Sequence, residues 1–230
     1  MKIGVLCSVG GSAFFSAYDI LEKLDLIDNK HCILITDRDC NAELEAKKRG
    51  IFFQRIQEKN SSTFSVITKD ILMEYEVEHV FLFFLKMINE ILYKNIPTFN
   101  IHPSLLPMFK GFGALEKTLI NDVRFVGGSL HLATAKADSG AIISQVITPL
   151  KINSNINSIS KISYLQKVYL TLCGYELLRD SYFNVDLHKE NLKWIKKTKF
   201  SCSANPEIPN NRIRNMFDEF QKKNGIQVVQ

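Results

Sequence analysis

The sequence predicts one α/β domain, a Rossmann-like, mostly parallel sheet with helices on both faces. Three observations carry that prediction. The chain has 230 residues, 46% hydrophobic and 23% charged, enough to bury one sizeable core at an ordinary globular balance. Its first half alternates short apolar runs with stretches whose apolar residues recur at helical spacing. A glycine-bearing turn, Ser8–Ser12, stands between the first apolar run and the first helical stretch, as α/β units arrange it.

Taken in order, Lys2–Cys7 (KIGVLC) reads as a buried strand and Ala13–Leu24 as a helix. Cys32–Thr36 is a second strand, Ala42–Arg49 a helix, Ile51–Gln54 a short strand, Thr63–Tyr75 a helix and His79–Leu85 a strongly apolar strand. Such alternation argues for a parallel sheet covered on both faces. Thr98–His102 is a strand running into the proline-bracketed loop Pro103–Gly113. Gly127–Thr134 and Ala141–Leu150 are extended segments around the turn Ala137–Gly140, and Ile156–Arg179 is a long helix. From Thr198 the chain is polar, with a charged helical piece at Asn211–Asn224. The expected organisation is a catalytic domain over residues 1–197 and a C-terminal tail over 198–230, without internal repeats.

A net charge of +5 and a pI near 8.9 are spread along the chain. That suits small anionic ligands as well as nucleic acid and reads first as a solvated surface. Neither nucleic acid nor membrane is an expected partner. No run of 18 apolar residues occurs, and Val80–Leu85, the most apolar stretch, is of strand length. The five cysteines, Cys7, Cys32, Cys40, Cys173 and Cys202, include no C-x-x-C pair, and no signal peptide is apparent. A reducing cytoplasm is therefore expected, with neither a disulfide framework nor a bound metal.

Two features carry chemistry. Gly10, Gly11 and Ser12 open the first helix, where backbone N–H groups point at any bound anion; the turn lacks G-x-G-x-x-G and G-K-[ST], so a tight turn with an N-cap is the competing reading. The second feature is NIHPSLLP, Asn100–Pro107, followed by SLHLATAKADSG, Ser129–Gly140. Asn100 and His102 are two apart at a strand end and point the same way. Both can donate to an oxyanion forming on a carbonyl. Asp138, in a turn, is placed to polarise the histidine and accept a proton through water. Taken singly, each residue also suits a structural role; the combination makes the case.

NIHPSLLP, the later Ser-Leu-His and the Asp-Ser-Gly turn resemble, over Met1–Leu150, the 10-formyltetrahydrofolate-dependent formyltransferases, above all those acting on glycinamide ribonucleotide. The resemblance implies the formyltransferase type of α/β fold, a transferase of one-carbon metabolism, and 10-formyltetrahydrofolate as cosubstrate. It makes Asn100, His102 and Asp138 the catalytic residues and gives His131 a supporting place near the site. It further implies a cis Leu106–Pro107 bond. The folate would lie along Leu85, Lys86, Met87 and Ile88, with Ala133, Thr134, Ala135, Lys136 and Ala137 opposite; Gly10, Gly11 and Ser12 would meet the acceptor.

Two departures concern the acceptor. Ala13 stands where the purine enzymes usually carry asparagine, followed by Phe14 and Phe15, and no acidic residue occurs between Asp138 and Glu176, where they usually carry a helix glutamate. These departures tilt the expectation slightly to a nucleotide-linked amino sugar, its pocket shaped by Phe14 and Phe15. The alternatives are phosphoribosylglycinamide formyltransferase of purine biosynthesis and a non-catalytic folate- or nucleotide-binding module. Only about 30 residues follow Lys197, too few for the C-terminal domain of a methionyl-tRNA formyltransferase. Pro103 replaces the second histidine usual in formyltetrahydrofolate hydrolases. Whether the chain forms a homodimer is left open.

Overall fold

The computed structural model describes residues 1–196 and 207–228. Seven strands, β1 (Ile3–Cys7), β2 (Cys32–Thr36), β3 (Phe52–Arg55), β4 (His79–Phe83), β5 (Thr98–His102), β6 (Phe125–Leu132) and β7 (Ile142–Pro149), form one sheet in the order β3-β2-β1-β4-β5-β6-β7. The pairs from β3 to β5 are parallel, whereas β5–β6 and β6–β7 are antiparallel. The strand order reverses between β1 and β4, and the crevice beyond their carboxyl ends is where such sheets receive ligands.

Seven helices accompany the sheet among the described residues: α1 (Ser12–Lys23), α2 (Asn41–Lys48), α3 (Ser61–Glu74), α4 (Glu90–Tyr93), α5 (Ala114–Ile120), α6 (Ile156–Arg179) and α7 (Asn211–Lys223). Strand side chains alternate between faces. Ile3, Val5 and Cys7 join a core with α1, α2, α6 and α7, while Leu6, Ile33 and Val80 join one with α3 and α4. Side chains at the helix starts satisfy amides that have no partner within the helix. Asn60 Oδ1 accepts from Ser62 and Thr63 ahead of α3. Asn155 and Ser158 form a reciprocal capping box at α6. The second half of α6 is buried nearly all round because β6, β7, α1 and α7 enclose it.

Three elements depart from the sequence-based expectation. β4 ends at Phe83, so residues 84–88 leave the sheet as a loop; the Leu85 amide donates instead to Ser8 Oγ at 3.0 Å. α5 is a seven-residue helix behind Gly113, which takes φ 72°. A two-stranded ribbon of β8 (Phe183–Asp186) and β9 (Asn191–Trp194) follows α6. None of the described helices is long and apolar enough to cross a membrane.

The expected 197/198 boundary lies outside the described residues. Beyond it, Ile208, Ile213, Phe217 and Val228 are buried in the α1/α6 core, and the Phe217 ring meets Tyr169 edge-on at 5.3 Å. Phe217→Ala should therefore cost about 3–5 kcal/mol. Thermal denaturation is expected to show a Tm lower by on the order of 10 °C; an unchanged Tm would mean that α7 contributes nothing to the folding unit.

Candidate active site

A cavity of about 430 Å³ opens at the switch point. Its walls are Gly11, Ser12 and Ala13 after β1, the loop after β4, the ends of β5 and β6, the 111–114 segment and the first half of α6. Strand geometry brings the polar groups together. Asn100 and His102 lie on one face of β5, and the β5–β6 register places His131 opposite Asn100 and Ser129 opposite His102. Ser129 Oγ donates to the Ser104 carbonyl and accepts from the Leu106 amide, holding the 103–107 loop against the sheet. The Leu106–Pro107 bond is cis.

Asp138 is the hub. Its Oδ1 accepts from Asn100 Nδ2 at 3.2 Å and lies 3.4 Å from His131 Nε2. Its Oδ2 accepts from the Gly111 amide at 2.7 Å and lies 3.3 Å from His102 Nδ1. Burial alone would raise its pKa, but the His131 and Gly111 hydrogen bonds and the two histidine charges outweigh burial and hold the carboxyl at about 2. Asp138 is therefore a carboxylate throughout the neutral range. Its backbone takes φ 50°, a left-handed setting that Asp tolerates better than most residues. Gly140 completes the turn: a Cβ there would lie 1.9 Å from the Leu132 carbonyl oxygen.

His102 is 5% exposed. Its Nε2–H donates to the Phe109 carbonyl at 2.8 Å while Nδ1 faces Asp138. Both ring nitrogens meet oxygen acceptors, which an imidazolium satisfies and a neutral ring satisfies on one side only. Burial opposes that charge most strongly and keeps the pKa below the ordinary histidine value; the Phe109 carbonyl and Asp138 pull upward, while His131 and Lys167 push further down. Giving up its proton is thus easier for this ring than for an exposed histidine. The Nδ1–H of His131 donates to the Leu132 carbonyl at 2.9 Å, presenting Nε2 to Asn100 and Asp138.

Leu85, Lys86, Met87 and Ile88 line the cavity. Their loop is pinned at both sides: Phe84 stacks on Phe64 with centroids 5.2 Å apart, and Ser61 Oγ donates to the Met87 carbonyl at 2.7 Å. The Lys86 ammonium does not stand free, since it pairs at 2.9 Å with Asp37, whose side chain is wholly buried. Burial would raise the Asp37 pKa, but Arg38, Lys86 and Ser8 overcome it and hold the carboxyl at about 2. On the opposite wall, Ala133, Thr134 and Ala137 line the cavity. Ala135 and Lys136 lie in the bend beside it with their side chains exposed to solvent. At the first turn Gly11 and Ser12 face the cavity, whereas Gly10 lines a separate hollow beside Arg49.

Phe14 and Phe15 are each 2% exposed. Phe14 packs against Phe83 at 6.0 Å, and the Arg49 guanidinium covers Phe15 at 4.9 Å. They are core, and the expectation that they shape an acceptor pocket is withdrawn on that ground. Ala13 does reach the cavity. Sequence reasoning missed Tyr164 and Lys167 of α6, which also line it, and the backbone groups of Phe109 and Gly111. Tyr164 and Lys167 lie three apart and so share one helix face, but other polar residues of α6, among them Lys161, Ser163 and Gln166, leave that pair unmarked in the sequence; nothing in residue type marks a backbone carbonyl. Burial pushes the thiols of Cys7, Cys32 and Cys173 up, so none is a ready nucleophile.

The fold and site define a class: an α/β protein whose switch-point cavity holds a carboxylate shared by an asparagine and two histidines, an arrangement suited to acyl transfer. Comparison with known proteins names it. The sequence profile of the formyl transferase family matches residues 1–164, and the chain belongs to that family, whose members use 10-formyltetrahydrofolate as formyl donor. It is 29% identical over 170 residues to the chloroplastic phosphoribosylglycinamide formyltransferase of Vigna unguiculata, an alignment covering 69% of this chain. The chain spans about half that relative's length, 54%. Phosphoribosylglycinamide formyltransferase from Campylobacter jejuni subsp. jejuni NCTC 11168 superposes with a TM-score of 0.67 at 26% identity, covering 77% of this chain and 97% of its own. Glycinamide ribonucleotide transformylase 1 from Symbiobacterium toebii shares the fold, with a TM-score of 0.76 at 21% identity and coverages of 85% and 94%.

Proposed function

We propose that the protein transfers the formyl group of 10-formyltetrahydrofolate to the primary amine of glycinamide ribonucleotide or a closely similar acceptor. The observation that carries this reading is the Asp138 cluster, with Asn100 and His102 both on its carboxylate, at the mouth of a cavity with an apolar folate-side wall. The neutral amine attacks the formyl carbon, and the carbonyl electrons move onto oxygen. On this reading Asn100 and His102 supply the donors to that oxyanion, His102 by turning its Nε2–H from the Phe109 carbonyl to the substrate. The proton lost by the attacking nitrogen passes to Asp138 through water, and His102 gives one to the departing folate nitrogen as the C–N bond breaks. Proton exchange between Asp138 and His102 restores both groups.

The relatives named above favour glycinamide ribonucleotide over the amino sugar that Ala13 and the absent helix glutamate suggest. The burial of Phe14 and Phe15 removes the feature invoked for an amino-sugar pocket. The test is a purified assay with 10-formyltetrahydrofolate, following release of tetrahydrofolate. Glycinamide ribonucleotide should be used with a kcat/KM at least about tenfold above that of a nucleotide-linked amino sugar, a difference of about 1.4 kcal/mol in transition-state binding. The opposite ranking would overturn the acceptor, and no transfer to any amine would leave a binding module.

A further inference from the structure

The loop that follows β4 is held by a carboxylate standing outside the cavity. Asp37 comes directly after β2, and its side chain is wholly buried. Its Oδ2 accepts from Lys86 Nζ at 2.9 Å and from Arg38 Nη2 at 2.8 Å, and its Oδ1 from Arg38 Nε at 3.1 Å. Lys86 lines the cavity, whereas Asp37 does not. To make the pair, the Lys86 side chain crosses the carboxyl end of β1, which lies between β2 and β4 in the sheet. Two strand spacings separate those strands, about 10 Å. Ser8, the residue after β1, stands on the way. Its Oγ accepts from the Leu85 amide at 3.0 Å and gives its own hydrogen to Asp37. The first half of the loop is thus tied to β1 and β2. The second half is tied to α3 instead, by Ser61 Oγ on the Met87 carbonyl and by the Asn89 amide on Ser65 Oγ at 2.9 Å. An exposed lysine–carboxylate pair would contribute little. A wholly buried carboxylate is different, because it is costly to desolvate and depends on its donors. Leu85 and Met87, on either side of Lys86, are half-exposed and line the cavity.

We propose that Asp37 is a positioning residue for the formyl donor, fixing the loop of residues 84–88 through Lys86 and Ser8 in the shape that receives the folate. The inference rests on the reading that the folate lies along residues 85–88. It gives Lys86 a role other than contact with the donor: its ammonium bridges the loop to the end of β2 and is already matched by a buried negative charge. Arg38, half-exposed and outside the cavity lining, neutralises the same carboxylate without shaping the wall. Loss of Asp37 leaves the chemistry at Asp138 and the acceptor side untouched. The wall from Leu85 to Met87 then loses its hold, and part of the folate's binding energy goes into ordering it.

The experiment uses the full chain and the variants Asp37→Asn, Lys86→Met, the two combined, and Arg38→Gln, with folding checked by Tm. In steady-state kinetics with glycinamide ribonucleotide, Asp37→Asn and Lys86→Met should each raise the KM for 10-formyltetrahydrofolate about tenfold. Their kcat and acceptor KM should stay within about twofold of the parent. The combined variant should exceed the more impaired single variant by no more than about threefold, because the two residues form one contact. Arg38→Gln takes a cation from Asp37 but no tie from the loop, so its folate KM should stay within about twofold. In a turnover-independent arm, tetrahydrofolate is titrated into each protein calorimetrically, and its Kd should follow the same order. Single effects that multiply in the combined variant, an acceptor KM that rises as far as the folate KM, or an Arg38→Gln variant as impaired as Asp37→Asn would each reduce Asp37 to a structural ion pair and overturn the proposal. Should Asp37→Asn fail to fold, Lys86→Met decides: a tetrahydrofolate Kd within about twofold of the parent overturns the role of the pair. Proteins that bind tetrahydrofolate in the expected order but transfer formyl to no amine sink the proposed function alone.

Discussion

His102→Ala should lower kcat for formyl transfer by about 10³-fold, in line with the loss of a transition-state donor or acid–base group. At 1.36 kcal/mol per decade that is about 4 kcal/mol of barrier. The acceptor and folate KM values should change little, because the ring's donors act where charge develops rather than on the ground state. The fold should survive: His102 stands at a strand end, and its lost partners are the Phe109 carbonyl and one Asp138 oxygen, both within reach of water in the cavity. His102→Asn is the informative companion, since an amide can still donate to an oxyanion but cannot carry a proton to the departing nitrogen. It should fold and bind as the parent does and recover turnover only poorly. A His102→Ala enzyme with parental turnover would remove the mechanism.

Asp138→Asn should be comparably severe, with kcat falling by about 10²–10⁴-fold. It acts by two routes. It removes the proton acceptor, and it removes the negative charge that favours protonation of His102. The sign is fixed: losing that charge lowers the His102 pKa further, and titration of the imidazole resonances reads the change directly. A second readout separates electrostatics from packing. The Asp138 carboxyl is held at about 2, below the ordinary value near 3.9. Its interactions stabilise the fold fully above about pH 4 and are lost as pH falls from there to about 2. The parent should lose about 2 kcal/mol over that window on this account, and Asp138→Asn should not show that loss. Parallel pH–stability curves would mean that the carboxylate is not held as described.

Much of the scaffold is legible because buried parallel strands are short apolar runs. The catalytic pair on β5 is legible for a related reason, since a period of two puts Asn100 and His102 on one face whatever surrounds them. Asp138 is found through its turn, where Gly140 permits the close approach to β6. Illegibility begins where position depends on distant chain. Nothing local says that β6 runs against β5 and sets His131 across from Asn100, or that α6 turns Lys167 into the same cavity. The misplacement of Phe14 was avoidable: Phe14, Ala17, Tyr18 and Leu21 recur at helical spacing and mark the core face of α1.

The burial of α7 has a consequence for how the chain is made. Synthesis is vectorial, at about 5–20 residues per second, and the sheet and its first six helices emerge before Ile213 and Phe217 exist. Until those side chains arrive, Tyr169 and the neighbouring face of α6 have no cover. A nascent chain therefore carries a sticky apolar stripe for the seconds that separate residue 179 from residue 217. Chaperone engagement belongs in that interval, and truncations just before α7 should freeze the chain in its most aggregation-prone form.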